Sequence, residues 1–230
     1  MKFAIISDVH ANLEALQAVL RDASERRCTH YAFLGDVVGY CADPKDCIDI
    51  VRAMNVPCVK GNHDEYCSTD LPLYRFSTDF AKVIQWTRKQ LTKEDREWLQ
   101  NLPYVRKVED FTIVHATLDS PERWGYVLDK LAAAASLAHQ SSAVCFFGHT
   151  HVPVAFVRDT ATRGGTYTKF RIEPGNKYFV NPGAVGQPRD NNPDAAYVVY
   201  DMDESTIELR RVAYNYAAAQ KKIREAGLGS

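Results

Sequence analysis

Residues 3–20, FAIISDVHANLEALQAVL, decide the fold. Phe3 to Ile6 are short, apolar and partly β-branched, and Ser7-Asp8 follows at once, which predicts a buried strand ending in a polar loop. From Asn12 onward Leu13, Leu16, Val19 and Leu20 recur at helical spacing, the pattern of an amphipathic helix. The same rhythm then repeats. His30 to Leu34 reads as a strand with Gly35-Asp36 at its end, Pro44 opens a helix carrying Cys47, Ile48, Ile50 and Val51, and Pro57 to Lys60 reads as a third strand ending in Gly61-Asn62-His63-Asp64. Strand, loop, helix, strand is the order of an α/β fold. Ligands in such sheets sit beyond the carboxyl ends of the strands, which is where the polar clusters fall.

Residues 65–103 differ in character. Ser77 caps a predicted helix running to Gln90, and Thr92 with Asp95 forms a capping box before a second, short helix. The stretch reads as a helical insertion holding Tyr74, Phe76, Phe80, Trp86 and Trp98. Beyond it, strands are predicted at Phe111 to His115, Ala143 to Phe147, Val152 to Arg158, Thr166 to Ile172, Tyr178 to Val180, Ala196 to Asp201 and Ile207 to Val212. Helices are predicted at residues 127–140 and 213–226. No repeat or linker divides the chain, so one domain is expected over residues 1–230.

Bulk properties narrow the function. With 46% apolar residues, 25% charged residues and a formal net charge of −1, the chain resembles an ordinary globular protein. It offers no basic platform for nucleic acid or anionic membrane. No segment approaches the roughly 18–20 apolar residues of a membrane span. The apolar run at the start is too short for an export signal, so the six cysteines read as reduced, buried thiols in a cytoplasmic protein.

Five clusters carry the chemistry: Asp8-x-His10, Gly35-Asp36, Gly61-Asn62-His63-Asp64, His115 and Gly148-His149-Thr150-His151. Each follows an apolar strand-like run. Singly they say little, because Asp-x-His and Gly-Asp are common and a lone His115 reads as a core histidine. Together they offer two carboxylates, an amide oxygen and four imidazoles. That mixture suits Mn²⁺, Fe, Zn²⁺ or Ni²⁺ better than Ca²⁺ or Mg²⁺. No cysteine joins the set, which argues against a structural zinc site. Seven donors exceed one tetrahedral ion and fit two ions sharing a carboxylate, a recurring device at phosphorus with metals ~3.5–4 Å apart. In extended chain, residues two apart share a face, which would bring Asp8 to His10 and His149 to His151.

The ordered set DVH, GD, GNHD, VHA and GHTH resembles the calcineurin-like metallophosphoesterases over residues 5 to about 190. NPGAVGQPRD at 181–190 and the helical insertion resemble the small bacterial branch of YfcE-like phosphodiesterases. The resemblance implies a four-layer α-β-β-α sandwich. It implies one divalent ion on Asp8, His10 and His151, a second on Asn62, His115 and His149, and Asp36 bridging them, with Mn²⁺ the first choice. It implies that water at the bridging site loses a proton and attacks phosphorus in line, while His63 protonates the departing oxygen. Asp64 either orients His63 or is a turn residue. Asn12 either meets a phosphate oxygen or caps the following helix, and Asn62 stands beside the substrate as well as the metal.

The sequence departs from the family's protein phosphatases, which carry an Asp-Arg pair where GDVVGY places Gly39 and Tyr40. The missing arginine removes a bidentate phosphate clamp and weakens the case for that branch and for symmetrical dinucleoside-tetraphosphate hydrolases. Arg189 either replaces the clamp or pairs with Asp190 or Asp194. Tyr40, Tyr74, Arg75 and Phe76 are candidates for a substrate wall, the other insertion aromatics for core. The expected function is a phosphodiesterase on small-molecule or nucleotide substrates. The alternatives are a phosphomonoesterase or nucleotide pyrophosphatase, or a binding scaffold without catalysis.

Overall fold

A computed structural model describes residues 1–229. In chain order the elements are β1 (Lys2–Ile6), α1 (Leu13–Glu25), β2 (His30–Phe33), α2 (Pro44–Met54), α3 (Asn62–Ser68), α4 (Thr78–Gln90), α5 (Lys93–Gln100), β3 (Val105–Val108), β4 (Phe111–Val114), α6 (Lys130–His139), β5 (Val144–Phe146), β6 (Val154–Arg158), β7 (Thr162–Gly165), β8 (Lys169–Arg171), β9 (Lys177–Asn181), β10 (Ala195–Asp201), β11 (Thr206–Val212) and α7 (Tyr216–Glu225). They form two sheets, ordered β2-β1-β10-β11-β8 and β3-β4-β5-β9-β6-β7.

The period of two along a strand assigns the layers. Phe3 and Ile5 point into the apolar layer between the sheets, with Leu34, Phe111, Phe146, Val180, Val198 and Tyr200. Ala4 and Ile6, one residue out of phase, point the other way into a second layer with Leu16 and Val19 of α1 and Ile48 of α2. On the far side, Cys145, Phe147 and Phe179 pack against Ala133 and Leu137 of α6. The result is a mixed α/β sandwich in four layers, as the sequence led one to expect. Because β1 is covered on both faces, its apolar run has no alternation. No helix among the described residues is long and apolar enough to cross a membrane.

Parallel pairing positions the site. β1 pairs with β2, and β4 with β5 and β5 with β9, all in parallel. Their carboxyl ends therefore lie on one side of each sheet, and the loops after them carry Asp8 and His10, Asp36, His115, His149 and His151.

Several expectations shift. Residues 57–60 make only an isolated parallel bridge from Phe33 to Cys58. Pro57 has no N–H to donate, and the next element, α3, already begins at Asn62. The predicted strand at residues 166–172 shortens to β8 against β11, and β7, paired with β6 just ahead of it, was not expected. β3 had no expectation. The insertion keeps both predicted helices with their caps, Ser77 accepting from Phe80 and Thr92 from Asp95, and gains α3 ahead of them.

Candidate metal centre

Five of the seven proposed ligand positions are left-handed: Asp8 at φ 54°, His10 at 49°, Asp36 at 52°, His149 at 67° and His151 at 60°. The extended pairing expected for Asp8 with His10 and His149 with His151 is therefore replaced by tight reversals. Such backbone costs an L-residue about 1–2 kcal/mol per position, and it persists only where surrounding bonds over-determine it. Those bonds are present. The His10 amide donates to Asp36 O at 2.9 Å, Ala11 to Val37 O at 2.9 Å, Gly186 to Asp8 O at 2.8 Å and Gly148 to His115 O at 2.8 Å. Glycines permit close approaches: a Cβ at Gly61 would overlap Asp36 Oδ1, one at Gly148 would overlap Ser7 Oγ, and one at Gly186 would overlap the Val9 carbonyl oxygen.

The ligand atoms form two clusters that share one residue. Asp8, His10, Asp36 and His151 make the first, and Asp36, His115 and His149 the second, all buried. His10 Nε2 lies 3.0 Å from His151 Nε2, and His151 Nε2 lies 3.3 Å from Asp8 Oδ1. Asp36 Oδ2 is 3.6 Å from His10 Nε2 and 3.3 Å from His115 Nε2, so a single oxygen faces both clusters. Asn62 Oδ1 joins the second cluster at 3.2 Å from His115 Nε2.

Each carboxylate divides its labour. Asp8 Oδ2 accepts from Ser7 Oγ at 2.5 Å and from the His149 amide at 3.2 Å. Its Oδ1 is buried without a hydrogen-bond partner. Asp36 Oδ1 accepts from the His63 amide at 2.8 Å and leaves Oδ2 to the imidazoles. An orphaned buried oxygen in a ring of imidazoles is costly without a cation, and the donor set fits one.

The imidazoles are oriented by backbone carbonyls. His10 Nδ1 faces Val38 O at 3.2 Å, His115 Nδ1 faces Leu34 O at 2.7 Å and His151 Nδ1 faces Gln187 O at 2.7 Å. Each contact selects the tautomer that carries a proton on Nδ1 and a lone pair on Nε2. His149 is reversed, its Nε2 facing Trp124 O at 3.0 Å, which leaves Nδ1 as its free donor atom.

Charge follows burial and proximity. Burial opposes ionisation of Asp36, but the neighbouring imidazoles, His115 foremost, hold its carboxyl well below the ordinary range. Burial likewise opposes Asp8, and the nearby His151 holds it below the ordinary range. Burial would lower His115, yet the Asp36 carboxylate raises it to about 9. Burial lowers His63 and His149, each to about 4.

The remaining sequence candidates separate. His63 lines the cleft above the clusters, and its side chain makes no hydrogen bond among the described residues. Asp64 is the turn residue of its two alternatives and does not orient His63. Its carboxylate accepts from the amides of Asp36 at 2.8 Å, Val37 at 2.9 Å, Val38 at 3.3 Å and Gly61 at 3.0 Å. Asn12 is the cap of its two alternatives: Oδ1 accepts from Ala15 at 3.1 Å and Nδ2 donates to Gly186 O at 3.1 Å, so the side chain is not free for substrate. Asp190 pairs with Arg211, and Arg189 instead meets the Tyr40 hydroxyl at 3.2 Å and lines the cleft. Arg75, Phe76 and Tyr40 line it too, while Tyr74 is 77% exposed and lies outside it.

The sequence reading missed the loop at residues 118–127. Trp124 is left-handed at φ 55°, accepts from His149 through its carbonyl and donates its indole N–H to Glu65 Oε2 at 3.0 Å. Tyr126 stacks on His149, with ring centroids 4.1 Å apart and planes 26° apart. The available signal was a tryptophan and a tyrosine in a stretch with neither helical nor strand spacing.

Residues 1–205 match the sequence profile of the calcineurin-like phosphoesterase superfamily domain. The chain belongs to that superfamily. Within it, an uncharacterized protein of Methanocaldococcus jannaschii is 35% identical over 225 residues, covering 96% of this chain and 90% of the relative. The crystal structure of a metallophosphoesterase from Sphaerobacter thermophilus superposes with a TM-score of 0.85 at 37% identity, covering 100% of this chain and 95% of that one. A hypothetical protein from Pyrococcus horikoshii gives a TM-score of 0.83 at 16% identity, covering 100% and 94%, and shares the fold. The paired Asp/His clusters of this chain could hold divalent metal ions.

Proposed function

We propose that this protein is a dinuclear metal-dependent phosphoesterase that hydrolyses small phosphodiesters. One observation carries the reading: two ligand clusters meet at Asp36 Oδ2, and a second carboxylate oxygen, Asp8 Oδ1, lies buried beside them without a partner. Asp8, His10 and His151 would hold one ion, Asn62, His115 and His149 the other, and Asp36 both. Mn²⁺ is the first choice, with Fe, Zn²⁺ or Ni²⁺ compatible with the same donors. Bound ions supply Lewis acidity, which draws charge from phosphate oxygens and lowers the pKa of water.

The chain's own groups do the rest. The carbonyls of Val38, Leu34, Gln187 and Trp124 fix the imidazole tautomers before any ligand arrives. His63 lines the cleft above the clusters with its Nδ1 sealed from solvent, and burial keeps it neutral. It would take up a proton for the departing oxygen only beside the negative charge of a bound phosphate. Arg189, free of any ion pair among the described residues, would take a non-bridging phosphate oxygen. The six cysteines are all unpaired and buried, which supports a working site in a reducing compartment, the cytoplasm.

The test strips the protein with EDTA and restores Mn²⁺. Recovery of bis-p-nitrophenyl phosphate hydrolysis, with kcat/KM above that for p-nitrophenyl phosphate, is the expected result. The reverse preference would make it a phosphomonoesterase. Two bound ions per chain with neither substrate cleaved would make it a binding scaffold.

A further inference from the structure

The cleft over the two ligand clusters encloses about 430 Å³ and is lined by three arginines, Arg75, Arg123 and Arg189, against one carboxylate, Asp36. This imbalance occurs in a chain whose formal net charge is −1. Arg75 and Arg189 make no ion pair among the described residues. Arg123 reaches only its sequence neighbour Glu122, at 3.9 Å, with both side chains largely exposed. Ions at the floor would already meet the charge of the phosphate being cleaved. With Arg189 on that phosphate, the guanidiniums of Arg75 and Arg123 remain and fit an anion lying further out.

The cleft is also aromatic. Phe76 and Phe80 of the insertion, with ring centroids 5.0 Å apart, supply one part of the lining, and Trp124 and Tyr126 of the loop at 118–127 another. Tyr126 already presents one ring face to His149 and is 54% exposed. Rings so placed stack on flat ligands. The Arg189 guanidinium lies 5.8 Å from the Tyr40 centroid, and the Arg75 guanidinium 5.7 Å from that of Tyr74 outside the cleft. The volume falls within the range of roughly 300–1,000 Å³ for small-molecule sites.

Resting on the phosphoesterase reading above, we infer that the substrate is a nucleotide carrying a diphosphate: the phosphorus attacked sits at the floor, Arg75 and Arg123 receive the second phosphate, and the aromatic lining stacks on the base. The diphosphate of the substrate is esterified at both ends, so each phosphorus is linked through oxygen to two groups and is diester-like. Hydrolysis forms a bond from the water oxygen to one phosphorus and breaks the bridging P–O bond. The bridging oxygen leaves with the other phosphate and keeps the electron pair. The two water protons pass to the products or to solvent, and two monoesters result.

The experiment is calorimetric titration of the Mn²⁺-loaded protein with three non-hydrolysable probes: α,β-methylene-ADP, the phosphonate analogue of AMP and the phosphonate analogue of ribose 5-phosphate. The AMP analogue is expected to bind at least fivefold more tightly than the ribose analogue, and the Tyr126→Ala/Phe76→Ala variant to erase that step. Methylene-ADP is expected to bind at least tenfold more tightly than the AMP analogue, and Arg75→Ala/Arg123→Ala to erase this second step. Circular dichroism confirms that the variants fold. Equal affinity for methylene-ADP and the AMP analogue, or a second step that survives loss of both arginines, overturns the inference. Hydrolysis of bis-p-nitrophenyl phosphate by the same preparation reports separately on the phosphoesterase reading.

Discussion

At the floor of the cleft, Asp8, Asp36 and the four proposed histidine ligands are buried, and each imidazole is held by a backbone carbonyl. On its walls, Arg75 is exposed, Tyr126 is 54% exposed, and Arg123 meets only its neighbour. The floor resists change because strained backbone, carbonyls and close glycines all constrain the same atoms. The walls are joined to it by few bonds, so they tolerate substitution better. This difference ranks the effects of substitution.

The largest effect belongs to the shared oxygen. Asp36→Ala removes a ligand from both clusters, so the protein should lose both ions and at least about a thousandfold in kcat/KM. Elemental analysis of the purified variant checks this, and retention of two ions would break the floor model. Asp64→Ala comes next. It leaves four loop amides without their acceptor and should cost about 3 kcal/mol of stability, read from urea unfolding of the metal-free protein. An unchanged midpoint would mean that the Asp36 loop is held by something else.

Trp124→Phe tests the boundary between the two regions. It keeps a ring but removes the N–H to Glu65, loosening the carbonyl that orients His149. One of the two ions should bind about tenfold more weakly while the other is little changed. Equal weakening of both would show that the loop acts on the whole cage. The smallest effect is expected at Tyr74, outside the cleft. Tyr74→Ala should change kcat/KM less than about twofold and stability by no more than about 0.5 kcal/mol. A larger loss would extend the wall beyond its present lining.

The same division governs what was legible in the sequence. β1, α1 and the polar residues at strand ends were readable because burial on two faces leaves an unbroken apolar run in β1 and burial of one face leaves helical spacing in α1. The clustering of Asp8, Asp36 and the histidines followed from parallel strands ending on one side. Their conformation did not, since left-handed φ at Asp8 or His149 arises from long-range bonds such as Gly186 N–H to Asp8 O. Asp64 was undecidable locally, because its four donors lie on the loop after Gly35 and at Gly61. The Trp124 loop was missed for a related reason. Nothing near it in sequence announces that its carbonyl meets His149 and its indole meets Glu65.

β1 lies between β2 on one side and β10 on the other, and the loop at 185–186 is bonded to Ser7 and Asp8. The first strand therefore cannot complete its pairing until residue 201 has been synthesised. The last imidazole of the cage arrives only at residue 151. A chain emerging from the ribosome would expose its first half, carboxylates and apolar strand together, through most of translation. Sequence-distant closure of this kind slows folding. In the proposed metalloenzyme, cation capture would then be one of the final acts of maturation, after the scaffold has closed.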